Sequence, residues 1–443
     1  MPTAAELNTA RDLMAFVAAS PTPYHAVQQA ASRLAAAGYR ELDSREEWLP
    51  ERGARYFTVH GGGSLIAFQV GQRAPAEGGY LIVGAHTDSP NLRLKPRPDV
   101  RQAGHRQCGI EVYGGALTHT WLDRALGLAG RVTLRDGSSH LVRLEQHALV
   151  IPSLAIHLDR TVTTEGLRLN SQTAFLPTWS LGEAAEPGIL GMIAAGLERQ
   201  GLEGVEATTI DTFDLCLFDL EPPRLGGAQD ELLLSPRLDN LTSCHAGVAA
   251  LLGCPEPLDA TRVLVLHDHE EIGSRSSSGA QSRLVLGMLE RLASATGDGG
   301  AQATARALAR SFVVSCDMAH AEHPNFSDKH DPQHRPRMNG GPVIKVNASQ
   351  SYATDGPAGA AFERACRRAG IEAQHFVSRN DLPCGSTIGP ITSARLGVRG
   401  VDVGAPMLAM HSCRELTGSA DPKHLVDALR AWWELGEVPP PSA

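Results

Sequence analysis

Five residues with metal-binding side chains, His86, Asp239, Glu271, Asp317 and His411, occur where apolar stretches end or where a helix is about to begin. Two imidazoles and three carboxylates form a nitrogen and oxygen donor set. That set suits zinc, manganese or cobalt and does not suit an iron–sulfur or copper–thiolate site. A carboxylate bridging two ions roughly 3.5–4 Å apart is the recurring device of two-metal hydrolases. The adjacent pair Glu270 and Glu271 fits such a centre, because one carboxylate can ligate while its neighbour takes a proton from the attacking water. In His86-x-Asp88, the aspartate is placed to fix the imidazole.

Each residue alone has a plainer explanation. A His-x-Asp pair is usually a surface or capping pair, and Glu-Glu is common on solvated helix faces. Asp239 could cap the helix that follows it. Asp317 and His411 could be hydrogen-bonded polar residues at strand ends. The inference rests on their occurring together, and the elements around them give it a frame.

Residues 80–83 are a short apolar strand running into His86 and Asp88. Residues 262–266 precede Glu270 and Glu271, 312–315 precede Asp317, and 398–403 lead towards His411. In open α/β sheets, ligands bind beyond the carboxyl ends of strands. Further strands are expected at 56–60 and 64–70, flanking three glycines as a hairpin, and at 342–346. Helical spacing is read over 4–19, 26–37, 242–252, 284–293, 301–309 and 359–369. Pro21 and Pro23 end the first of these. Residues 97–235 differ: short alternating segments at 110–113, 131–134 and 141–144, separated by turn residues, predict a β-rich insert with one helix near 187–200. The expected organisation is therefore a discontinuous α/β catalytic domain, 1–96 and 236–443, interrupted by an inserted β-rich domain, 97–235. The proline-rich tail at 438–443 is expected to fray.

The bulk numbers agree with an enzyme of this size. The chain has 443 residues, 42% hydrophobic and 20% charged, with a formal charge of -9. This supplies a sizeable core and argues against nucleic acid as the main partner. No apolar run reaches the length of a membrane span. The eight cysteines contain no C-x-x-C pair, and Glu6, Arg11 and Asp12 break the apolar N-terminal stretch. A cytoplasmic setting with free thiols is expected.

Several longer motifs surround these residues: SPTPYH at 20–25, GAHTDSP at 84–90, SPRLDN at 235–240 and HEEIGS at 269–274. DMAHA at 317–321, HPN at 323–325, DKHD at 328–331, GGPVIKVN at 340–347, RNDLPCG at 379–385 and MLAMHS at 407–412 follow. With these motifs the chain resembles, over nearly its whole length, the aspartyl aminopeptidase family of cocatalytic zinc exopeptidases. The resemblance implies an α/β/α sandwich of the phosphorylase/hydrolase-like type, carrying an inserted β-rich dimerisation domain. It implies two zinc ions per subunit, with cobalt or manganese as alternatives: His86 and Asp317 hold one, Glu271 and His411 the other, and Asp239 bridges them. Glu270 is then the general base. His157 matches a histidine that reaches a neighbouring subunit's active site, and His320, Lys345 and Tyr352 match residues that contact substrate. The implied substrates are peptides beginning with Asp or, less readily, Glu, and the implied assembly is a homo-oligomer, a dodecamer built from dimers. The chain departs from the family pattern at Ser351 and Glu322, which bears on how strict the acidic preference is.

Two other readings share these residues. One is a different two-metal amidohydrolase: a broad aminopeptidase, a carboxypeptidase or a deacylase. The other is a non-catalytic, shell-forming homologue that has kept the fold.

Overall fold

Four apolar runs, Thr261–His267, Tyr80–His86, Phe312–Cys316 and Gly400–Gly404, lie side by side and mutually parallel. Nearly every residue in them is buried, as a parallel strand covered on both faces requires. The computed structural model that shows this describes residues 1–182, 188–297, 299–436 and 438, with the backbone alone at His147. Ser64–Gln69, Arg55–His60 and Arg40–Glu41 extend the sheet on one side, and Val343–Val346 and Gln374–Val377 extend it on the other, giving nine strands.

The period-2 alternation of a strand divides the core in two. Leu81, Val83 and Ala85 pack with helices Ala4–Ala19, Pro23–Ala36, Leu238–Leu252, Gly356–Arg368 and Asp421–Leu435. Tyr80 and Ile82 face the opposite layer, with helices Leu284–Ala295 and Ala301–Ala309 and Leu396 of helix Ile388–Leu396. This is an α/β/α sandwich.

Three helices begin earlier than their apolar spacing predicts, Leu238–Leu252 among them, and capping explains the other two. Thr22 accepts the His25 N–H and Pro23 occupies the first turn, so the second helix starts at Pro23. Asp355 accepts the Ala358 N–H ahead of Pro357, so that helix starts at Gly356. The sequence reading did not include helices Ile388–Leu396 and Asp421–Leu435, or a second sheet of short strands. That sheet has the order Arg224–Gly226, Leu232–Ser235, Glu415–Gly418, Pro406–Leu408, Ala319–His320.

By its internal contacts the chain forms two units. The larger comprises Met1–Asp88, Pro223–Met410 and Glu415–Ala443, and holds the elements above. The smaller comprises Ser89–Pro222 with His411–Arg414. It is built on a six-stranded sheet, Ser139–Leu149, Leu126–Leu134, Ile210–Asp219, Asn91–Gln102, His105–Tyr113 and Thr178–Leu181 in that order, antiparallel throughout. Helix Ile189–Arg199 packs Ile189, Ile193, Ala194 and Leu197 into its core. Residue 187 and the tail at 439–443 lie outside the described residues. Among the described residues, no helix is long and apolar enough to cross a membrane.

Candidate active site

The parallel strands of the larger unit share one carboxyl edge, and the loops leaving it carry the acids and imidazoles. His86 is the last residue of Tyr80–His86 and pairs in register with His267 on the neighbouring strand. The chain then turns through His269 and Gly273, both left-handed, and places Glu270 and Glu271 in a single 3-10 turn. Asp317 follows Phe312–Cys316, and its N–H continues the ladder to the Val403 carbonyl at 2.9 Å. The neighbouring strand passes so close that a Cβ on Gly404 would lie 1.8 Å from the Asp317 carbonyl oxygen. Only glycine fits there without a shift. Asp239 enters the first turn of Leu238–Leu252, and its N–H donates to Glu415 Oε2 at 3.0 Å.

These loops converge on His86, which is almost wholly buried. Its Nδ1 lies 3.0 Å from the Asp88 carbonyl oxygen. A carbonyl only accepts, so Nδ1 carries the proton and Nε2 is left to ligate. Nε2 lies 3.4 Å from Asp239 Oδ1 and 3.5 Å from Asp317 Oδ1. Both distances are long for a hydrogen bond. They match the spacing of neighbouring ligands around a tetrahedral ion, since two atoms each about 2.1 Å from zinc stand roughly 3.4 Å apart. Ligand atoms of His86, Asp239 and Asp317 lie within 4.8 Å of one another, as do those of His86, Glu270 and Glu271. Asp88 binds the second group from behind: Oδ1 accepts the Glu270 N–H at 3.0 Å and Oδ2 accepts the Glu271 N–H at 3.1 Å.

The electrostatics favour a cation in this position. Burial and the surrounding acids push Glu271 well above the ordinary carboxylate range and Glu270 up to about 8. Burial opposes charging His86, yet the neighbouring carboxylates of Asp239, Asp317 and Asp88 outweigh it and hold the imidazole well above its usual value. Without a metal ion, a buried crowd of carboxylates recruits protons. Metal ions and protons compete for the same donor atoms.

A family model described as Aminopeptidase I zinc metalloprotease (M18) matches residues 16–433. The chain belongs to the M18 aminopeptidase family. It is 49% identical over 424 residues to a probable M18 family aminopeptidase 2 of Streptomyces coelicolor, spanning 95% of this chain and 96% of that protein. Among solved structures it resembles the chain in a cryo-EM structure of the Ape4 and Nbr1 complex, with a TM-score of 0.92 and 38% identity over 97% of this chain and 86% of that one. It also resembles the S. cerevesiae mApe1 dodecamer chain, with a TM-score of 0.83 and 28% identity over 97% of each. The protein is thus an M18 zinc metalloprotease acting as an aminopeptidase.

In this M18 aminopeptidase, His320 and Tyr352 line a cavity of about 280 Å³ in the larger unit, together with His323, Lys329, His330 and Arg379. Among the described residues its lining holds no aspartate or glutamate, in a chain of net charge -9. The His320 ring meets Phe376 edge-on at 5.6 Å, and buried Tyr352 packs on the same phenylalanine. Lys345 lies deeper: its Nζ donates to the Asp317 and Met318 carbonyls at 2.9 and 3.1 Å and stands 5.3 Å over the Tyr352 ring.

The remaining two expected residues belong to the smaller unit. His157 is exposed on the loop after Ser139–Leu149, between the exposed apolar side chains of Ile156 and Leu158. His411 has a left-handed backbone, and its Nδ1 lies 3.2 Å from the Gly115 carbonyl oxygen. That contact again leaves Nε2 as the ligating nitrogen. Sequence reasoning did not select Glu415, which supports Asp239. It quoted the motifs holding His323, Lys329, His330 and Arg379 without giving those residues a role.

Proposed function

We propose that this M18 aminopeptidase removes N-terminal aspartate, and less readily glutamate, from peptides at a two-zinc centre. The observation that carries the reading is the spacing around His86 Nε2, with two carboxylate oxygens at ligand-to-ligand distance. His86 and Asp317 would hold one ion, Glu271 and His411 the other, and Asp239 would bridge both. The donor set of imidazole and carboxylate also accepts cobalt or manganese. When bound, the two ions would polarise the scissile carbonyl and acidify the attacking water.

The chain's own residues carry the remaining work. Glu270, next to ligand Glu271 and held at its N–H by Asp88, takes the proton from the water and passes it to the leaving amine. Its raised pKa suits a base that must give the proton back. His320 and Tyr352 orient the substrate from the wall of the cavity. The cationic lining of that cavity, without an acid among the described residues, supports an acidic N-terminal side chain as the preferred occupant.

For the assembly we propose a homo-oligomer, a dodecamer built from dimers through the smaller unit, with His157 reaching a neighbouring subunit's site. The exposed Leu154, Ile156 and Leu158 around His157 support this, as does the dodecameric state of the yeast mApe1 neighbour. All eight cysteines are free, which supports a reducing, cytoplasmic setting.

The test is a kcat/KM panel over Asp, Glu, Ala, Leu and Lys N-terminal substrates with zinc, cobalt or manganese added to metal-stripped protein, alongside metal counting. Two ions per chain and a clear preference for Asp are expected. One ion per chain, or equal rates across the panel, would refute the corresponding half of the reading.

A further inference from the structure

His411 sits on a short stretch, His411–Arg414, that groups by its contacts with the smaller unit, whose other segment ends at Pro222. The His411 backbone is left-handed, a conformation that a residue with a Cβ rarely adopts. Contacts from outside must therefore hold it. One segment of the smaller unit, 115–124, supplies them. The Gly115 carbonyl accepts from His411 Nδ1 at 3.2 Å, and the Leu117 N–H donates to the His411 carbonyl at 3.0 Å. The Thr120 hydroxyl accepts the Cys413 N–H at 2.8 Å and donates to the Leu117 carbonyl at 2.7 Å. The Cys413 side chain is buried in the same core as Trp121. Gly115 leaves the imidazole little room, since a Cβ there would lie 3.1 Å from His411 Nδ1.

Arg414 holds the stretch at its other end. One guanidinium nitrogen donates to the Glu221 carbonyl at 3.0 Å, and the other donates to the Pro222 carbonyl at 2.6 Å. The Asp219 carboxylate lies 3.5 Å from the first of these, and the two side chains are only 7% and 2% exposed. Asp219 also accepts from Arg124 at 2.9 Å, and Arg124 Nε donates to the Thr120 carbonyl at 2.9 Å. The contacts run from Arg414 through Asp219 and Arg124 to Thr120, and from its hydroxyl back to Cys413. They close a ring around the stretch. Buried charges linked in this way resist separate movement, because displacing one leaves another unpaired. Three of the contacts made by 115–124 end on the His411 ring or on the backbone of 411–413.

We infer that Thr120 and Arg414 are positioning residues for metal binding: the ring they close fixes the direction of the His411 imidazole, and through it the affinity for one of the two ions. The inference rests on the reading of His411 as a zinc ligand and adds the groups that aim it.

The experiment takes full-length, metal-stripped protein and zinc alone. Competition with a chromophoric chelator reads both binding constants, and melting temperature is followed beside them. The variants are Thr120→Val, Thr120→Ser, Arg414→Met and His411→Ala. Arg131→Met serves as a control, because the Arg131–Asp214 pair at 2.7 Å belongs to the same six-stranded sheet. His411→Ala should weaken one ion by the largest factor and so identify it. Thr120→Val removes the hydroxyl at nearly constant size. It should weaken the same ion about 10- to 100-fold, the range for groups that orient metal ligands, and leave the other ion unchanged. Arg414→Met should do likewise. Thr120→Ser, which keeps the hydroxyl, and Arg131→Met should bind both ions as the wild type does. Two unchanged constants in Thr120→Val and Arg414→Met, with one ion weakened in His411→Ala, overturn the inference and leave His411 a ligand. Equal weakening of both ions, or the same loss in Arg131→Met, makes the ring a support of the fold alone and also overturns it. Two unchanged constants in His411→Ala remove His411 from the donor set, and the inference falls with that reading. If Arg414→Met fails to fold, the two Thr120 variants still decide.

Discussion

Asp88 supports the candidate centre at three points, so replacing it by asparagine tests the geometry more sharply than removing a ligand would. The carboxylate is fully buried. One oxygen accepts the Glu270 N–H at 3.0 Å, and the other accepts the Glu271 N–H at 3.1 Å. Oδ1 also lies 3.4 Å from His86 Nδ1, beside the shorter contact to the Asp88 carbonyl. Asparagine keeps one acceptor and turns the other into an NH2 group facing an N–H. One charge-assisted hydrogen bond is lost, at about 1.5–3 kcal/mol, and one buried N–H loses its acceptor, at about 1–3 kcal/mol. Removing a negative charge among Asp239, Glu270, Glu271 and Asp317 returns part of this, because Asp88 itself raises the pKa of both glutamates. The expected net loss is about 2–4 kcal/mol, concentrated in the 268–274 loop. Zinc affinity should fall about 10- to 100-fold, the range seen when groups that orient metal ligands are removed. Because the N–H of the proposed base is also released, kcat should stay low even at saturating zinc. Competition against a chromophoric chelator measures the first effect, and steady-state kinetics at several zinc concentrations measures the second. An Asp88→Asn enzyme that binds zinc within about threefold of wild type and recovers full kcat would refute the claim that this carboxylate organises the site.

The other predictions address the base, the pH response and the backbone. Glu270→Gln should keep its zinc and lose about 100- to 10,000-fold in kcat, and a variant retaining most of its turnover would remove Glu270 from the role of base. In chelator-treated protein, Glu270, Glu271 and His86 all hold protons more tightly in the folded chain than in the unfolded one. The stability they contribute is complete below the ordinary glutamate value and is lost progressively as pH rises from there through the folded values, so the metal-free melting temperature should drop from about pH 5 to about pH 8. His267, pushed down to about 4 by burial, works in the opposite sense but only below its ordinary value. Zinc-loaded protein should show a much flatter profile, and a metal-free profile rising over that interval would contradict the crowded-carboxylate picture. Gly404→Ala should cost about 1–3 kcal/mol and reduce zinc content, because the new methyl must displace the Asp317 carbonyl. Unaltered zinc content in that variant would show that the Asp317 loop adapts freely.

The sequence reveals the sandwich where its strands are buried on both faces. The runs read at 80–83, 262–266 and 312–315 are nearly continuous in apolar residues, so their type is visible in one dimension, while the structure extends each by one to three residues. The same clarity places His86, Glu270, Glu271 and Asp317, because each follows such a run within a few residues. The second sheet could not be read, since strands such as Ala319–His320 and Pro406–Leu408 are too short to show an alternation. Helix starts at 23 and 356 depended on capping by Thr22 and Asp355, which the apolar period does not report. The roles of Asp88 and Lys345 were harder still. Both act on backbone groups, and a hydrogen bond from the Glu270 N–H to a side chain far earlier in the chain leaves no trace in spacing.

These backbone contacts explain how two adjacent glutamates can divide their tasks. Consecutive residues on a strand point to opposite faces, and on a long helix they point about 100° apart, so neither element turns Glu270 and Glu271 to one centre without help. The 3-10 turn at Glu270–Ile272, entered through left-handed His269, brings ligand atoms of both side chains within 4.8 Å of one from His86. Asp88 then fixes the turn by accepting both N–H groups at once, while its own carbonyl sets the His86 tautomer. The proposed base and two proposed ligands are therefore held by one buried residue, Asp88, and their positions cannot relax independently. That shared support makes the cluster costly to build from acids alone, and it gives the centre its dependence on a bound cation.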